Sequence, residues 1–439
     1  MVLLEETEAA GADVEEDDEA FLAAMLAQQA AEDKETEPEE PSALEYVAAC
    51  TNLKCLTKCS QWMRACNSRA SEVLLCHYGV GKFGSEPLAR SLTLNSNVTN
   101  LDLGDNGLGS EGISHILKAL QQPSAAPSLS VLSLRQNQAG EEGAEALRAL
   151  LVSNAHALAS IDFGANAIGN KGGEVVAEGL GRNTTVTSLS LEHNDIEEVE
   201  KLAHALRANS TLTAFSLEWN QVAPGGGKLL ADAISSEPSL TSLNLGWNGL
   251  GDAGVKSLSA AIEQCPPDGP LRDVRLHHNR MSAEAAVPLS RALGNLDVLD
   301  TSGNALGEGG AAVLLMAQQE LRLRNPLHAP TGEDATPRCK LIMEDVCVRP
   351  DTALAGLLMR AARGEEVAHD EMQRGGVLAA AAPTLAAAAP PKLGKGGAKK
   401  AGKSGDADWR RTNEPSPRGQ LQGAHGAGGA GKKAAAKKK

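Results

Sequence analysis

The sequence predicts an α/β solenoid, with short parallel strands on its concave face, helices on its convex face and a disordered tail at each end. Three observations predict it. A phrase of the form L-x-x-L-x-L-x-x-N-x-L recurs along the chain and is clearest at Leu240, Leu243, Leu245, Asn248 and Leu250. Its asparagine returns at Asn106, Asn137, Asn166, Asn194, Asn220, Asn248, Asn279 and Asn304, at intervals of 31, 29, 28, 26, 28, 31 and 25 residues. Between phrases lie glycine-rich turns and apolar residues at helical spacing, as at Gly251, Gly254, Leu258 and Ile262. Composition agrees: 42% of the 439 residues are hydrophobic but only 2% aromatic, which suits a long leucine and alanine core.

Each part of the phrase has a physical task. The pairs Leu101/Leu103, Leu132/Leu134, Ile161/Phe163, Leu189/Leu191, Phe215/Leu217, Leu243/Leu245 and Val274/Leu276 alternate with period two, so each marks a short strand sending every second side chain inward. Asparagine carries donors and an acceptor on one amide, so a buried column of it can satisfy turn backbone groups that no strand ladder reaches. Helices are about 10–12 Å across, whereas strands sit about 4.8 Å apart. Stacking such units therefore bends the array into a horseshoe. An earlier, degenerate unit has Val73 and Leu75, with Tyr78 at the asparagine position, giving about nine units over residues 71–325.

The flanks follow from composition. Residues 41–70, after Pro38 and Pro41, read as a helical cap, which a solenoid needs because its end unit would otherwise expose core. Residues 326–375 read as a proline-bearing loop and a trailing helix over 352–362. The net charge of −15 is unevenly spread. Residues 1–40 hold 15 acids against Lys34 alone, and residues 392–439 hold 13 bases against 3 acids. Residues 1–40 and the Ala/Gly/Lys-rich 376–439 are expected to be disordered. Within the acidic arm, Phe21, Leu22, Met25 and Leu26 form one apolar face of a short helix, either a transient one or one that folds on a partner. No stretch reaches membrane-span length and the acidic start is unlike a signal peptide, so a cytoplasmic location is expected.

Repeats of this length with a full helix each resemble the ribonuclease-inhibitor type of leucine-rich repeat. Tyr46 to Cys50, Leu75 to Gly81, Asn97 to Gly109, and the ending from Ala335 to Pro350 with Asp345-Val-Cys347 look like the leucine-rich-repeat-containing protein 74 and 34 group. That resemblance implies an interaction scaffold with no catalytic residues and, from the wider class, a ciliary or cytoskeletal setting. Ribonuclease inhibitor itself has cysteine-rich repeats, whereas only Cys265 lies between units here. The Ran GTPase-activating proteins share the repeat type, which would make Arg135 the residue offered to a nucleotide. Those proteins end in an acidic segment, however, and this chain ends in a basic one.

Function on such a frame falls to the inner surface. Side chains between and just after the strand leucines lie there, including Asp102, Arg135, Asp162, Glu192, Glu218, Arg275, His277 and Asp300. They are polar and mildly acidic, without a paired-carboxylate or Ser/His/Asp arrangement. Just before the asparagine, consecutive units carry His193, Trp219, Trp247 and His278. Clustered aromatic and charged anchors are what a binding hot spot uses; alternatively, rings at this position cover the strand–loop junction. The candidate partner-binding residues are therefore Arg135, Glu192, His193, Glu218, Trp219, Trp247, His277 and His278, with no cofactor or metal expected.

Four other features have local explanations. Cys50, Cys55, Cys59, Cys66 and Cys76 lack a C-x-x-C knuckle, and the helical spacing of Cys55, Cys59 and Cys66 reads as one buried face of free thiols. The sequons at Asn97, Asn183 and Asn209 fall between a helix and the next strand, where a turn wants asparagine in left-handed geometry. Residues 397–404 match the phosphate-binding-loop pattern, but in a Gly/Lys-rich tail with no strand to deliver it. The tail's lysines suit a loose contact with an acidic surface, such as a tubulin tail or nucleic acid, or simple solubilisation.

Overall fold

The middle residue of each strand phrase is the one that buries. In a computed structural model of the chain, the strands are three residues long and pair in register through Val73, Leu101, Leu132, Ile161, Leu189, Phe215, Leu243, Val274, Leu299 and Leu341, all of them buried. The structure describes residues 38–55, 58–122, 124–154, 158–235, 239–266, 269–324, 339–345, 353–362, 371–372 and 376–388. The acidic arm to residue 37 and the chain from 389, with its phosphate-loop-like run, lie outside the described residues.

Strands β1 (Glu72–Leu74), β2 (Asn100–Asp102), β3 (Val131–Ser133), β4 (Ser160–Asp162), β5 (Ser188–Ser190), β6 (Ala214–Ser216), β7 (Ser242–Asn244), β8 (Asp273–Arg275), β9 (Val298–Asp300) and β10 (Lys340–Ile342) form one ten-stranded parallel sheet in sequence order. Each is followed by a helix that crosses back over the same face. After the cap helices α1 (Pro41–Asn52) and α2 (Ser60–Asn67), these are α3 (Gly81–Leu92), α4 (Gly109–Leu120), α5 (Gly140–Ser153), α6 (Gly169–Leu180), α7 (Glu200–Ala208), α8 (Pro224–Ile234), α9 (Gly251–Gln264), α10 (Ala283–Ala292), α11 (Gly307–Arg324) and α12 (Ala353–Ala362); a further helix, α13 (Val377–Ala388), comes after them.

The asparagines are buried and link the turns. Asn106, Asn137, Asn166 and Asn194 each donate their backbone N–H to the side-chain oxygen of the next asparagine, at 2.9–3.1 Å. Their Nδ2 groups donate to carbonyls of their own and the preceding unit. A side chain that satisfies both neighbours makes each turn depend on the next.

The cap buries Tyr46 and Trp62 and is tied to the first repeat by polar bonds. Trp62 Nε1 donates to Ser91 Oγ at 2.9 Å, and Ser91 Oγ donates to the Ser42 carbonyl at 2.6 Å.

The sequence reading needs correction at four places. The segment 326–375, read as a cap, contains the tenth strand of the sheet, β10. Met343 stands there for the second leucine and Val346 for the asparagine, which hides the phrase. The tail does not begin at 376, since α13 is helical, packs on α11 and buries Val377 and Ala381. Alanine's helix propensity forms it, and Gly309, lacking a Cβ, lets its backbone approach. Cys55, Cys59 and Cys66 share no helix face, because α1 ends at Asn52 and α2 begins at Ser60. Finally, Asn97 is not equivalent to Asn183 and Asn209. The matching residue is Asn95, whose Oδ1 accepts from the N–H groups of Asn97 and Val98 as those of Asn183 and Asn209 do two and three residues on. These three asparagines are buried turn acceptors, and none has positive φ.

Candidate functional site

Two side-chain columns run across the strand ends, one residue apart. The first follows the second strand leucine: Gly104, Arg135, Gly164, Glu192, Glu218, Gly246, His277 and Ser302. The second precedes the asparagine: Asp105, Gln136, Ala165, His193, Trp219, Trp247, His278 and Gly303. Every member of the second column is left-handed, with φ between 49° and 65°. The backbone explains the conformation. Each of these residues turns the chain out of the strand while its N–H still donates to the first-column carbonyl of the next unit, as Trp219 does to Gly246 at 3.0 Å and Trp247 to His277 at 2.8 Å.

In the first column, the charged residues bridge alternate units. Arg135 Nη1 crosses Gly164 to reach Glu192 Oε2 at 2.9 Å, and His277 Nε2 crosses Gly246 to reach Glu218 Oε1 at 3.1 Å. The glycines are required: a Cβ on Gly164 would lie 2.6 Å from Arg135 Nη1, and one on Gly246 would collide with the His277 ring. Ser216 Oγ donates to Glu192 Oε1 at 2.9 Å, and Asn244 Nδ2 donates to Glu218 Oε2 at 2.7 Å, so both carboxylates are held from two sides.

Electrostatics follow the contacts. The hydrogen bond with Glu218 raises the His277 pKa above its ordinary value, assisted by Asp300 and opposed by burial. Asp300 Oδ2 lies 3.6 Å from His277 Nδ1. The same pairing, with help from Asn244, holds the Glu218 carboxyl below its ordinary value. A half-buried imidazole between two carboxylates is a cation site that the protein fills with its own side chain.

In the second column the rings stack. Trp219 and Trp247 lie 4.0 Å apart at 12°, and Trp247 and His278 lie 3.7 Å apart at 17°. His193 is looser, 6.0 Å from Trp219 and tilted by 51°. Adjacent strands are spaced about 4.8 Å apart, so side chains leaving equivalent positions on consecutive turns need only a small lean to reach stacking distance. His278 lies over Gly303, where a Cβ would collide with it. Trp219 and Trp247 remain 46% and 37% exposed.

All eight residues singled out from the sequence therefore fall in these two adjoining columns. Arg135, the candidate for nucleotide contact, is engaged by Glu192. Sequence reasoning missed the three glycines that make the bridges and the stack fit. Their signal was present, since Gly164, Gly246 and Gly303 appear once the repeats are read as columns. Among the described residues, no cluster of three or more His, Cys, Asp or Glu could hold a metal ion, and no helix is long and apolar enough to cross a membrane.

A family model described as Leucine Rich repeat matches residues 94–117, 182–198, 208–231 and 237–259. The mouse (Mus musculus) NACHT, LRR and PYD domains-containing protein 12 is 29% identical over 119 residues, which is 27% of this chain but only 11% of that protein's length. Among solved structures, the leucine-rich repeat-containing protein LegL7 of Legionella pneumophila is 19% identical, with a TM-score of 0.42, covering 68% of this chain and 91% of that one. An internalin (inlF) of Listeria monocytogenes is 16% identical, with a TM-score of 0.35, covering 75% and 97%. The chain carries leucine-rich repeats and folds as an α/β leucine-rich-repeat solenoid.

Proposed function

We propose that the protein is a non-catalytic interaction scaffold that holds a protein partner on the open face of its sheet, at the strand ends of β5 to β8. Trp219 and Trp247, flanked by His193 and His278, are the anchors. Arg135, Glu192, Glu218 and His277 form a pre-organised polar floor beside them. One observation carries the reading. Two tryptophans are kept side by side and substantially exposed at positions whose left-handed backbone disfavours bulky side chains. The frame accepts glutamine, alanine or glycine at the same position in other units, so it does not require the rings. Exposed strain at a surface points to use by a ligand, and tryptophan is the residue type most enriched at binding hot spots.

The test is affinity capture from cell extract with the full chain, beside Trp219→Ala/Trp247→Ala protein whose fold is checked by circular dichroism. A protein captured by the parent and lost from the variant supports this reading. Capture that is identical for both rejects it and leaves the rings a covering role.

A further inference from the structure

Helix α1 closes on a left-handed residue that is not glycine. Lys54 has φ of 54°, its N–H donates to the Thr51 carbonyl at 3.3 Å, and the N–H of Cys55 donates to the Cys50 carbonyl at 2.9 Å. These two bonds are the Schellman closure, which brings together the side chains of its outermost hydrogen-bonded residues. Usually that contact is hydrophobic; here both residues are cysteines. With that N–H···O bond made, standard backbone dimensions hold the two Cα atoms within roughly 6.8 Å of each other. A disulfide spans Cα separations of about 4.4–6.8 Å.

The environments of the two sulfurs differ. Cys50 is buried in the cap, and Cys55 is half-buried at its surface. Burial pushes the Cys50 thiol up to about 11, opposed by the Tyr46 hydroxyl and assisted by the Cys55 thiol. Cys55 Sγ donates to the Phe83 carbonyl in α3 at 3.4 Å, so one side-chain tie between cap and first repeat runs through this sulfur.

We infer that Cys50 and Cys55 form a reversible modification site, a dithiol that a peroxide closes to a disulfide within the amino-terminal cap. The accessible sulfur reacts first. Cys55 attacks hydrogen peroxide, the O–O bond breaks, the thiol becomes a sulfenic acid and one water leaves. The Cys50 sulfur then attacks the Cys55 sulfur. An S–S bond forms, the S–O bond breaks, and the hydroxyl departs as a second water with the Cys50 proton. The two thiols have given up two electrons and the peroxide has accepted them. A small thiol reverses the step by exchange. Closure removes the proton that Cys55 donates to Phe83, replacing a tie between cap and repeat with one inside the cap.

Trypsin makes the test direct, because it cuts after Lys54 and Lys58 and separates the two cysteines unless they are joined. The full chain is treated with a few equivalents of hydrogen peroxide, remaining thiols are alkylated, and the digest is read by mass spectrometry with and without dithiothreitol. The expected result is a pair in which the peptide ending at Lys54 is linked to Cys55-Leu-Thr-Lys58, lighter by two hydrogens than its parts. It should appear with peroxide, vanish with dithiothreitol and be absent from Cys55→Ser protein. Separate alkylation of both cysteines after peroxide, or a link from Cys55 to Cys59 or Cys76 instead, would overturn the inference.

Discussion

At the scale of single residues, a glycine decides whether a charged side chain can reach a partner two units away. His277 meets Glu218 only because Gly246 leaves the intervening strand end empty, and Arg135 meets Glu192 across Gly164 in the same way. The His277 pair has a defined pH signature. An imidazole raised above its ordinary 6.5 stabilises the fold fully below that value, and the contribution is lost as pH rises through the folded pKa. A carboxyl lowered from its ordinary 4.5 stabilises above that value, and the contribution is lost as pH falls through its folded pKa. Both are present together between these two ordinary values. His277→Gln is therefore expected to cost about 1.5–3 kcal/mol in urea unfolding near pH 5.5, the range for a charge-assisted hydrogen bond, and distinctly less near pH 8.5. Gly246→Ala should produce the same pH-dependent loss, because its methyl displaces the ring while both partners keep their own side chains. Equal losses at both pH values would show that the pair is not what His277 contributes.

At the scale of elements, the strand–turn–helix unit was legible in the sequence because its signals are local and repeat. The Leu-x-Leu alternation locates β2 to β8, and the asparagine spacing their turns. What escaped was set by neighbours. β10 forms although its phrase is eroded, since β9 offers it a strand edge to pair with. The helix α13 reads as low complexity, and its packing on α11 and α10 distinguishes it from a tail. The opposed and stacked columns were partly legible: their residues could be picked out singly, but the bridges span units that no sequence window joins.

Two substitutions test the elements. Asn166 Oδ1 accepts from the N–H groups of Asn137 and Ala139, while its Nδ2 donates to the carbonyls of Leu134, Phe163 and Gly164. Asn166→Ala should cost roughly 1–3 kcal/mol for each buried group left unpaired, read as a lower urea midpoint. For α13, Gly309→Val places a side chain where Thr384 sits and where the Ala380 carbonyl would lie 3.0 Å from the new Cβ. Faster amide exchange over residues 377–388, with β2 to β8 unchanged, is expected; unchanged protection would mean that the helix is not held through this contact.

At the scale of the repeat array, contacts run mainly between successive units, so stability is shared along it while recognition can be confined to a few units. The frame needs leucine and asparagine at fixed positions and leaves the two outer columns free to vary. That freedom is why the sequence declares the fold openly yet does not name a partner. Units five to eight carry rings in the second column, where units three, four and nine carry glutamine, alanine and glycine, and the bridged charges are Arg135, Glu192, Glu218 and His277.

The most direct measurement is hydroxyl-radical footprinting of the full chain with and without its captured partner, read by mass spectrometry at each tryptophan. Trp219 and Trp247 are the exposed pair and Trp62 is a buried internal standard. Partner binding should slow oxidation of Trp219 and Trp247 together, with Trp62 unchanged. Unaltered rates at both tryptophans, with protection on the helices or the tails instead, would contradict a binding surface at the strand ends.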